Sequence, residues 1–526
     1  MLEKWFPYFT DTARQYVKDL IDKGMNVTSA AKKMCEHFNL ADNSYVEKNY
    51  RRFYPNDDNL NKVENDVDFI NAKNKVFNNE KQRFIITWAQ AETKINEQFF
   101  ENIKSYADFI DADIHVIAGR YKNPSSLEAS ENQKKKDKNK VFWDAKLIPY
   151  LDANRQKIHE NLCILGDIKI QPTASTPLSG LNSITALESC ILGHPRVHLK
   201  SLPVLDDYPN KLLLTTGSVT IPNYTDTKIG AKSEFHHTYG FVIIELDGDI
   251  YHLRQVQCSD DGSFYDLDTF VDNGECIKVV ENYPVMVFGD LHYGSHSEIN
   301  LEQSLNIARK LKVNKIVLHD IFDGKSVNHH ELKNPFAQLR NEQTGENNLE
   351  AEIENVIGFL NDNKDLNFLI ISSNHDDFLD RWLQSNDWRK SGNRKAYLKY
   401  ANIVANDLAP NGIIQYVINE STNNAECLGL NSSYRVNGWE LSQHGHIGVN
   451  GSRGSVTQFK NLNTKTITAH SHTPAREDGS VVVGTLTNKR LGYNNGATSW
   501  MHSNVILYPN GKASHINLIN GKYTTL

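Results

Sequence analysis

The sequence predicts an α/β protein: a layered α/β domain in its second half, preceded by a small helical unit and an α/β to β-rich region. Between 284 and 520, the runs PVMVFGD, NKIVLHD, LNFLIISSNHD, WELSQHGH and KTITAHSH each join an apolar, strand-like stretch to Asp, Asn or His at its end. Amphipathic stretches such as SEINLEQSLNIARKL, LEAEIENVIGFL and FLDRWL intervene, and strands alternating with helices mark a layered sheet. At 526 residues the chain has room for several cores of this kind.

In chain order, residues 1–60 read as a helical, helix-turn-helix-like unit. ARQYVKDLIDKG puts Tyr16, Val17, Leu20 and Ile21 on one face and stops at Gly24; Thr28 or Ser29 can cap a second helix, and a third carries Lys48, Arg51 and Arg52. Those three cations suit a DNA backbone, or simply face solvent from a helical cap. Residues 61–160 form an α/β segment: a β-like run from Phe84 to Trp88, a helix through Tyr106, a second run ADIHVIAGR, then the basic loop ENQKKKDKNK. Residues 161–280 form a β-rich accessory region with a hairpin signal at ELDGDI. Its long polar loops offer Lys169, Lys228, Lys232, His236 and His237, for a site or for structural duty. Residues 281–526 are the layered domain.

Composition narrows the class. With 39% hydrophobic and 23% charged residues the chain is globular, neither fibrous nor disordered. No stretch of eighteen uncharged apolar residues occurs, so no membrane-spanning helix and no membrane partner are expected. The start, MLEKWFPYFTDTARQY, lacks the apolar run of a signal peptide. Six cysteines never form C-x-x-C, so neither a thiolate zinc site nor a thioredoxin-like motif is indicated, and with the missing signal a cytoplasmic location is expected. A net charge of -7 gives no global field for nucleic acid, but a local basic groove or bound cations can act without one.

The chemistry lies at the strand ends. In Asp290-Leu291-His292 an extended chain would turn carboxylate and imidazole to one side, able to grip one ion. His319-Asp320 adds a carboxylate, and a bridging Asp is what holds two divalent ions about 3.5–4 Å apart. Asn374-His375-Asp376 supplies a neutral amide ligand, and His444-Gly445-His446 and His470-Ser471-His472 supply imidazoles. One Asp-x-His is weak; five clusters, each following an apolar run, are a constellation.

The blocks FGDLH, LHDIFD, SSNHDD, QHGH and AHSHTP, in that order, resemble the calcineurin-like metallophosphoesterase family, including its SbcD-like nucleases. The resemblance covers roughly 284–520 and implies a four-layer α/β/β/α domain with a two-metal centre. It implies that Asp290, His292, Asp320 and His472 bind one metal, and Asp320, Asn374, His444 and His470 the other. His375 would sit beside the substrate phosphate as proton donor, oriented by Asp376, which would raise its proton affinity. His319 and Ser373 stand where the family usually has Gly, which bears on loop shape rather than ligation. Arg453, in VNGSRGS, is a candidate phosphate contact, an ordinary turn residue being the alternative. Mixed N/O ligation favours Mn²⁺, with Fe²⁺, Zn²⁺ or Mg²⁺ open.

The layout, including FIITWAQAETKINEQFF and GSVTIPNYTDTKIGAKSEFHHTYGFVI, is also similar to the pre-early host-DNA-degrading nucleases of large tailed phages. That resemblance implies a metal-dependent DNase working in a bacterial host cytoplasm, with DNA as partner, self-association open, and endonuclease and exonuclease action both open. A phosphomonoesterase acting on nucleotides or phosphoproteins is the enzymatic alternative, and a DNA-binding or scaffold protein the non-enzymatic one.

Overall fold

The computed structural model describes residues 11–23 and a few positions between 25 and 37, then 81–121 and 143–526 apart from 206, 207, 280, 463, 492 and 493. The chain divides into two units, 1–72 with 135–140, and 73–134 with 141–526. In the first, the helix Asp11–Asp22 buries Val17 and Ile21, two of the positions its spacing marked. Lys48, Arg51, Arg52 and the basic loop lie outside the described residues.

The second unit is a mixed α/β body of several sheets. Its first sheet opens with the parallel pair Arg83–Gln90 and Ala112–Gly119, joined by the helix Glu97–Phe109, as the spacing predicts. The hairpin Gly240–Asp247 and Ile250–Gln257 completes one side of this five-stranded sheet, turning at Gly248, whose φ of 63° suits glycine.

A six-stranded sheet runs Ala425–Leu428, Phe368–Ile371, Lys315–Leu318, Val285–Val287, Ser503–Leu507, Ala513–Asn517. The first four are parallel and short; Val285–Val287 and Phe368–Ile371 are apolar and buried throughout, while Lys315–Leu318 begins with Lys315 and the edge strand Ala425–Leu428 exposes Glu426. Helices Glu298–Lys310, Leu349–Asp362, Asp377–Ser385 and Ile413–Ser421 cover one face through Leu301, Leu305, Ile353, Val356, Leu379 and Ile418, packed with Met286, Ile316, Ile370 and Ile506. On the other face Val285, Val287, Val317, Leu369 and Val505 meet Trp439, Ile467, Val481 and Val483 of a second sheet. Period-two alternation thus makes each strand serve two cores.

That second sheet has ten strands and draws them from both 155–215 and 435–482. Its order joins Arg435–Val436, Trp439–Glu440, Lys465–Thr468, Ser480–Val482 and Ala475–Glu477 to His198–Leu202, Lys211–Thr215, Ser189–Leu192, Leu162–Leu165 and Arg155–His159. The seam is the antiparallel pairing of Ala475–Glu477 with His198–Lys200. The β-rich region expected at 161–280 is therefore not set apart from the residues after 281. Asp478 stitches the seam: it takes Arg196 at 3.0 Å and His198 at 3.2 Å, with His236 at 3.4 Å and Lys460 at 3.1 Å. The layering differs too. The one-turn helix Val456–Phe459 packs on Ala475–Val482, whereas the other half of the sheet is covered by the five-stranded sheet, Trp88, Val242 and Ile244 meeting Ile164, Leu199 and Leu214. Strands apolar on both faces can be covered by a sheet as well as by helices, which is why the motif pattern did not separate the two. No described helix is long and apolar enough to cross a membrane.

Candidate metal centre

Each candidate ligand sits just beyond a strand, where the chain leaves its sheet. Asp290 follows Val285–Val287 through Gly289, where a Cβ would come within 2.7 Å of the Thr485 backbone; only glycine allows that approach. Asp320 follows Lys315–Leu318, Asn374 follows Phe368–Ile371, and His444 comes shortly after Trp439–Glu440. His470 and His472 follow Lys465–Thr468. The two facing sheets thus deliver donors to one place.

Four of these residues are held in left-handed backbone: His292 at φ 47°, Asp320 at 46°, His470 at 72° and His472 at 57°. Each such conformation costs an L-residue of this size about 1–2 kcal/mol, so surrounding packing must enforce it. Its clustering here has the effect of turning short side chains toward a common point.

The donors form three overlapping groups, each with its ligand atoms within 4.8 Å of one another: His292, Asp320 and His375; Asp320, His444 and His470; Asp290, Asp320 and His472. Asp320 belongs to all three. His292 Nε2 lies 3.2 Å from His472 Nε2 and 3.5 Å from Asp320 Oδ2, and His472 Nε2 is 3.2 Å from Asp290 Oδ2. His444 Nε2 lies 3.4 Å from Asp320 Oδ2 and 3.0 Å from Asn374 Oδ1. Seven expected ligands are therefore gathered at one centre.

The donor set fits divalent cations. Both carboxylate oxygens of Asp290, Oδ1 of Asp320, and Nδ1 of His444 and His472 are buried without a hydrogen-bond partner, a cost proteins normally avoid. Two imidazole nitrogens facing each other at 3.2 Å are likewise satisfied by a shared positive neighbour. The charges are tightly interdependent. Burial, aided by the charge of Asp320, pushes Asp290 up to about 7. Asp320 is buried too, yet His444, His375 and His292 hold it well below the usual carboxylate range. Burial opposes protonation of His292, but Asp323, Asp320 and Asp290 carry it up to about 9; burial and His444 push His470 down to about 3.

Asp323, which the sequence reading left out of the site, organises it. Its Oδ1 accepts from His292 Nδ1 at 3.0 Å, its Oδ2 accepts from Ser295 Oγ at 2.7 Å, and its backbone carbonyl accepts from His375 Nδ1 at 2.7 Å. A carboxylate behind a ligating imidazole fixes which nitrogen is free to ligate. LHDIFD contained the signal, since its second Asp lies three residues after Asp320. The expected role of Asp376 is corrected: its Oδ2 takes Gln415 Nε2 at 3.2 Å, and the carbonyl of Asp323 orients His375 instead. The proton affinity of His375 is also lowered: burial and the neighbouring His292 outweigh Asp320 and Asp323, although Asp323 Oδ1 lies 3.8 Å from its Nδ1.

A cavity of about 1080 Å³ opens over the centre, lined by Asp320, Asn374, His375, His470 and His472 together with Arg453. The Arg453 guanidinium makes no hydrogen bond or ion pair with a described residue and is exposed. Trp500 also lines it, edge-on to His472 with ring centroids 4.1 Å apart; nothing in its sequence setting marked it. Lys169, Lys228, Lys232, His236 and His237 do not line this cavity. His236 serves Asp478, and His237 lies between the Tyr224 hydroxyl at 2.9 Å and the Thr220 carbonyl at 2.9 Å. His319 and His446 pack against His444, with centroids 5.5 and 5.3 Å away.

Against known proteins the chain is similar to "Protein A1" of Escherichia phage T5, 29% identical over 469 residues, which is 84% of this chain and 83% of that protein. No family model matches. Among solved structures, Vps29 of Chaetomium thermophilum aligns with 34% of this chain and 93% of its own at 13% identity and a TM-score of 0.19. Its complex with a cyclic peptide aligns with 38% of this chain and 97% of its own, at 12% identity and a TM-score of 0.19.

Proposed function

We propose that the chain is a two-metal-dependent phosphodiester hydrolase of the calcineurin-like type that acts on DNA. The observation that carries this reading is the shared position of Asp320: one buried carboxylate common to three donor groups, with the buried carboxylate of Asp290 beside it and His472 Nε2 3.2 Å from Asp290 Oδ2. Asp290, His292, Asp320 and His472 would hold one ion, and Asp320, Asn374, His444 and His470 the second. Divalent cations supply Lewis-acid polarisation of phosphate oxygens and lower the pKa of water. Mn²⁺ is the proposed metal, from the mixed N/O donors. The ordered motif blocks and the likeness to a phage protein support a phage DNase at work in a host cytoplasm.

The chain's own residues supply the rest. Asp323 fixes His292 with Nε2 as the free nitrogen, and its carbonyl leaves His375 Nε2 free at the cavity. His375 donates the proton that the departing oxygen needs, and phosphate charge arriving beside it favours its protonated form. Arg453, exposed and unpaired at the cavity, takes a phosphate oxygen. Lys48, Arg51 and Arg52 would add contacts to the DNA backbone.

Purified protein with Mn²⁺ given linear duplex, closed circular duplex, single-stranded DNA and free nucleotides in parallel tests the proposal. Cleavage of any DNA form supports it; cut circles show endonuclease action, and attack restricted to open ends shows exonuclease action. Loss of phosphate from nucleotides or phosphopeptides alone, with every DNA form intact, overturns it in favour of a phosphomonoesterase.

A further inference from the structure

The helix Pro335–Thr344 brings an exposed aromatic ring to the cavity that holds the metal donors. Phe336 is 83% exposed, yet it lines that cavity with Asp320 and His375. Scattered exposed hydrophobics are ordinary, but this one is held in place. Asn334 caps the helix, its Oδ1 accepting from the backbone N–H of Phe336 at 3.1 Å and of Ala337 at 3.3 Å, and Pro335 opens the first turn. Ala337 and Asn341, one turn apart, face inward, so Phe336 cannot rotate into the core.

The stretch that leads from the donor cluster toward this helix is fixed at its start. Immediately after Asp323 the chain is clamped by Glu352, which accepts from the backbone N–H groups of Lys325 at 2.9 Å and Ser326 at 3.1 Å and from Ser326 Oγ at 2.6 Å. Arg340, one turn beyond Phe336, lines the same cavity, loosely paired with Glu331 at 3.4 Å and 60% exposed. A ring and a guanidinium one turn apart match a base and its phosphate. Glu346, another acid lining the cavity, is paired with Lys325.

We propose that Phe336 is a base-stacking residue, and that Arg340 holds a neighbouring phosphate. The enzyme would then select an unpaired nucleotide beside the scissile bond, because a base within an intact duplex offers no free face to a ring. The proposal rests on the nuclease reading of the same site. It adds a source of selectivity which the metal donors, touching only phosphate, do not provide.

The test uses the full chain with Mn²⁺ and two single-stranded DNA oligomers of equal length, one carrying bases and one abasic throughout. Phe336→Ala is expected to raise KM on the base-bearing oligomer roughly 5- to 140-fold, the span of one base–aromatic stack, and to leave the abasic one unchanged. Phe336→Trp should restore the wild-type value. Arg340→Gln should weaken both oligomers alike. Because Phe336 is exposed, its replacement should leave the melting temperature unchanged, which the same preparation reports. Equal effects of Phe336→Ala on both oligomers, or none on either, overturn the stacking role while leaving the nuclease reading intact. If the wild-type chain cleaves neither oligomer nor any duplex, the nuclease reading itself fails and the stacking role with it.

Discussion

Asp323 stands behind His292, its Oδ1 3.0 Å from the imidazole Nδ1 and its other oxygen held by Ser295, so the orientation of the ring is set from outside the donor cluster. The same residue's carbonyl fixes His375. Asp323→Ala should weaken metal binding roughly 10- to 100-fold, the usual cost of losing such a partner, measured by titration with Mn²⁺. Unchanged affinity would reduce Asp323 to a local packing residue.

Two ions per chain are expected from elemental analysis, with anomalous scattering placing Asp320 against both. Asp320→Ala should lose both, because every donor group includes it. Saturating metal should also stabilise the fold, by about 2.7 kcal/mol at a hundredfold excess over Kd, seen as a higher Tm. A single ion remote from Asp320 would sink the two-metal reading.

For His375→Ala, turnover on DNA should fall by about 10²-fold or more with the metals still bound. A nitrophenyl ester, whose leaving group needs no proton, should be slowed less. Equal slowing of both substrates would make His375 a phosphate-positioning group.

Acid should expose the role of Asp478. Burial would raise its pKa, but the hydrogen bond from His198 and the charges of His198, Arg196 and His236 hold the carboxyl well below the usual range. A depressed carboxyl contributes stability that is complete above its unfolded pKa of about 3.9 and is lost as pH falls through and below that value. Asp478→Ala leaves buried Arg196 uncompensated and should cost about 3–5 kcal/mol at pH 7. The gap from wild type, read from urea midpoints, should narrow between about pH 5 and pH 2. A gap that stays constant over that range would show that the carboxylate charge is not what the seam uses.

Replacing Lys48, Arg51 and Arg52 together should weaken duplex binding and flatten its salt dependence, by a slope of about 0.9 for each lost phosphate contact. Unchanged affinity and slope would assign the helical unit to packing or subunit contacts.

The site was more legible in the sequence than the architecture around it. Asp290, His292, Asp320, Asn374, His444, His470 and His472 stand out as candidates, and the structure brings them close together, because a metal ligand needs a particular atom and few residue types carry one. Asp323 could have been found from the need of His292 for an acceptor. Trp500 could not, since an aromatic beside a histidine in space leaves no trace in spacing. The helix at 335–344 escaped because its buried face is only Ala337 and Asn341, too slight to register as periodicity. The union of 155–215 with 435–482 in one sheet was invisible for another reason: strand pairing depends on backbone hydrogen bonds, which side-chain patterns do not encode.

The seam at Asp478 sets a clock on synthesis. Arg196 and the carboxylate that neutralises it are 282 residues apart, so the strand His198–Leu202 leaves the ribosome long before Ala475–Glu477 exists to pair with it. At about 5–20 residues per second that wait is roughly 15–55 s, during which a bare strand edge and an unmatched buried cation must be tolerated or shielded. His470 and His472 are made only shortly before the seam closes, so a nascent chain cannot assemble the full donor set. The donor cluster and the seam are therefore completed together, late in the synthesis of residues 155–482.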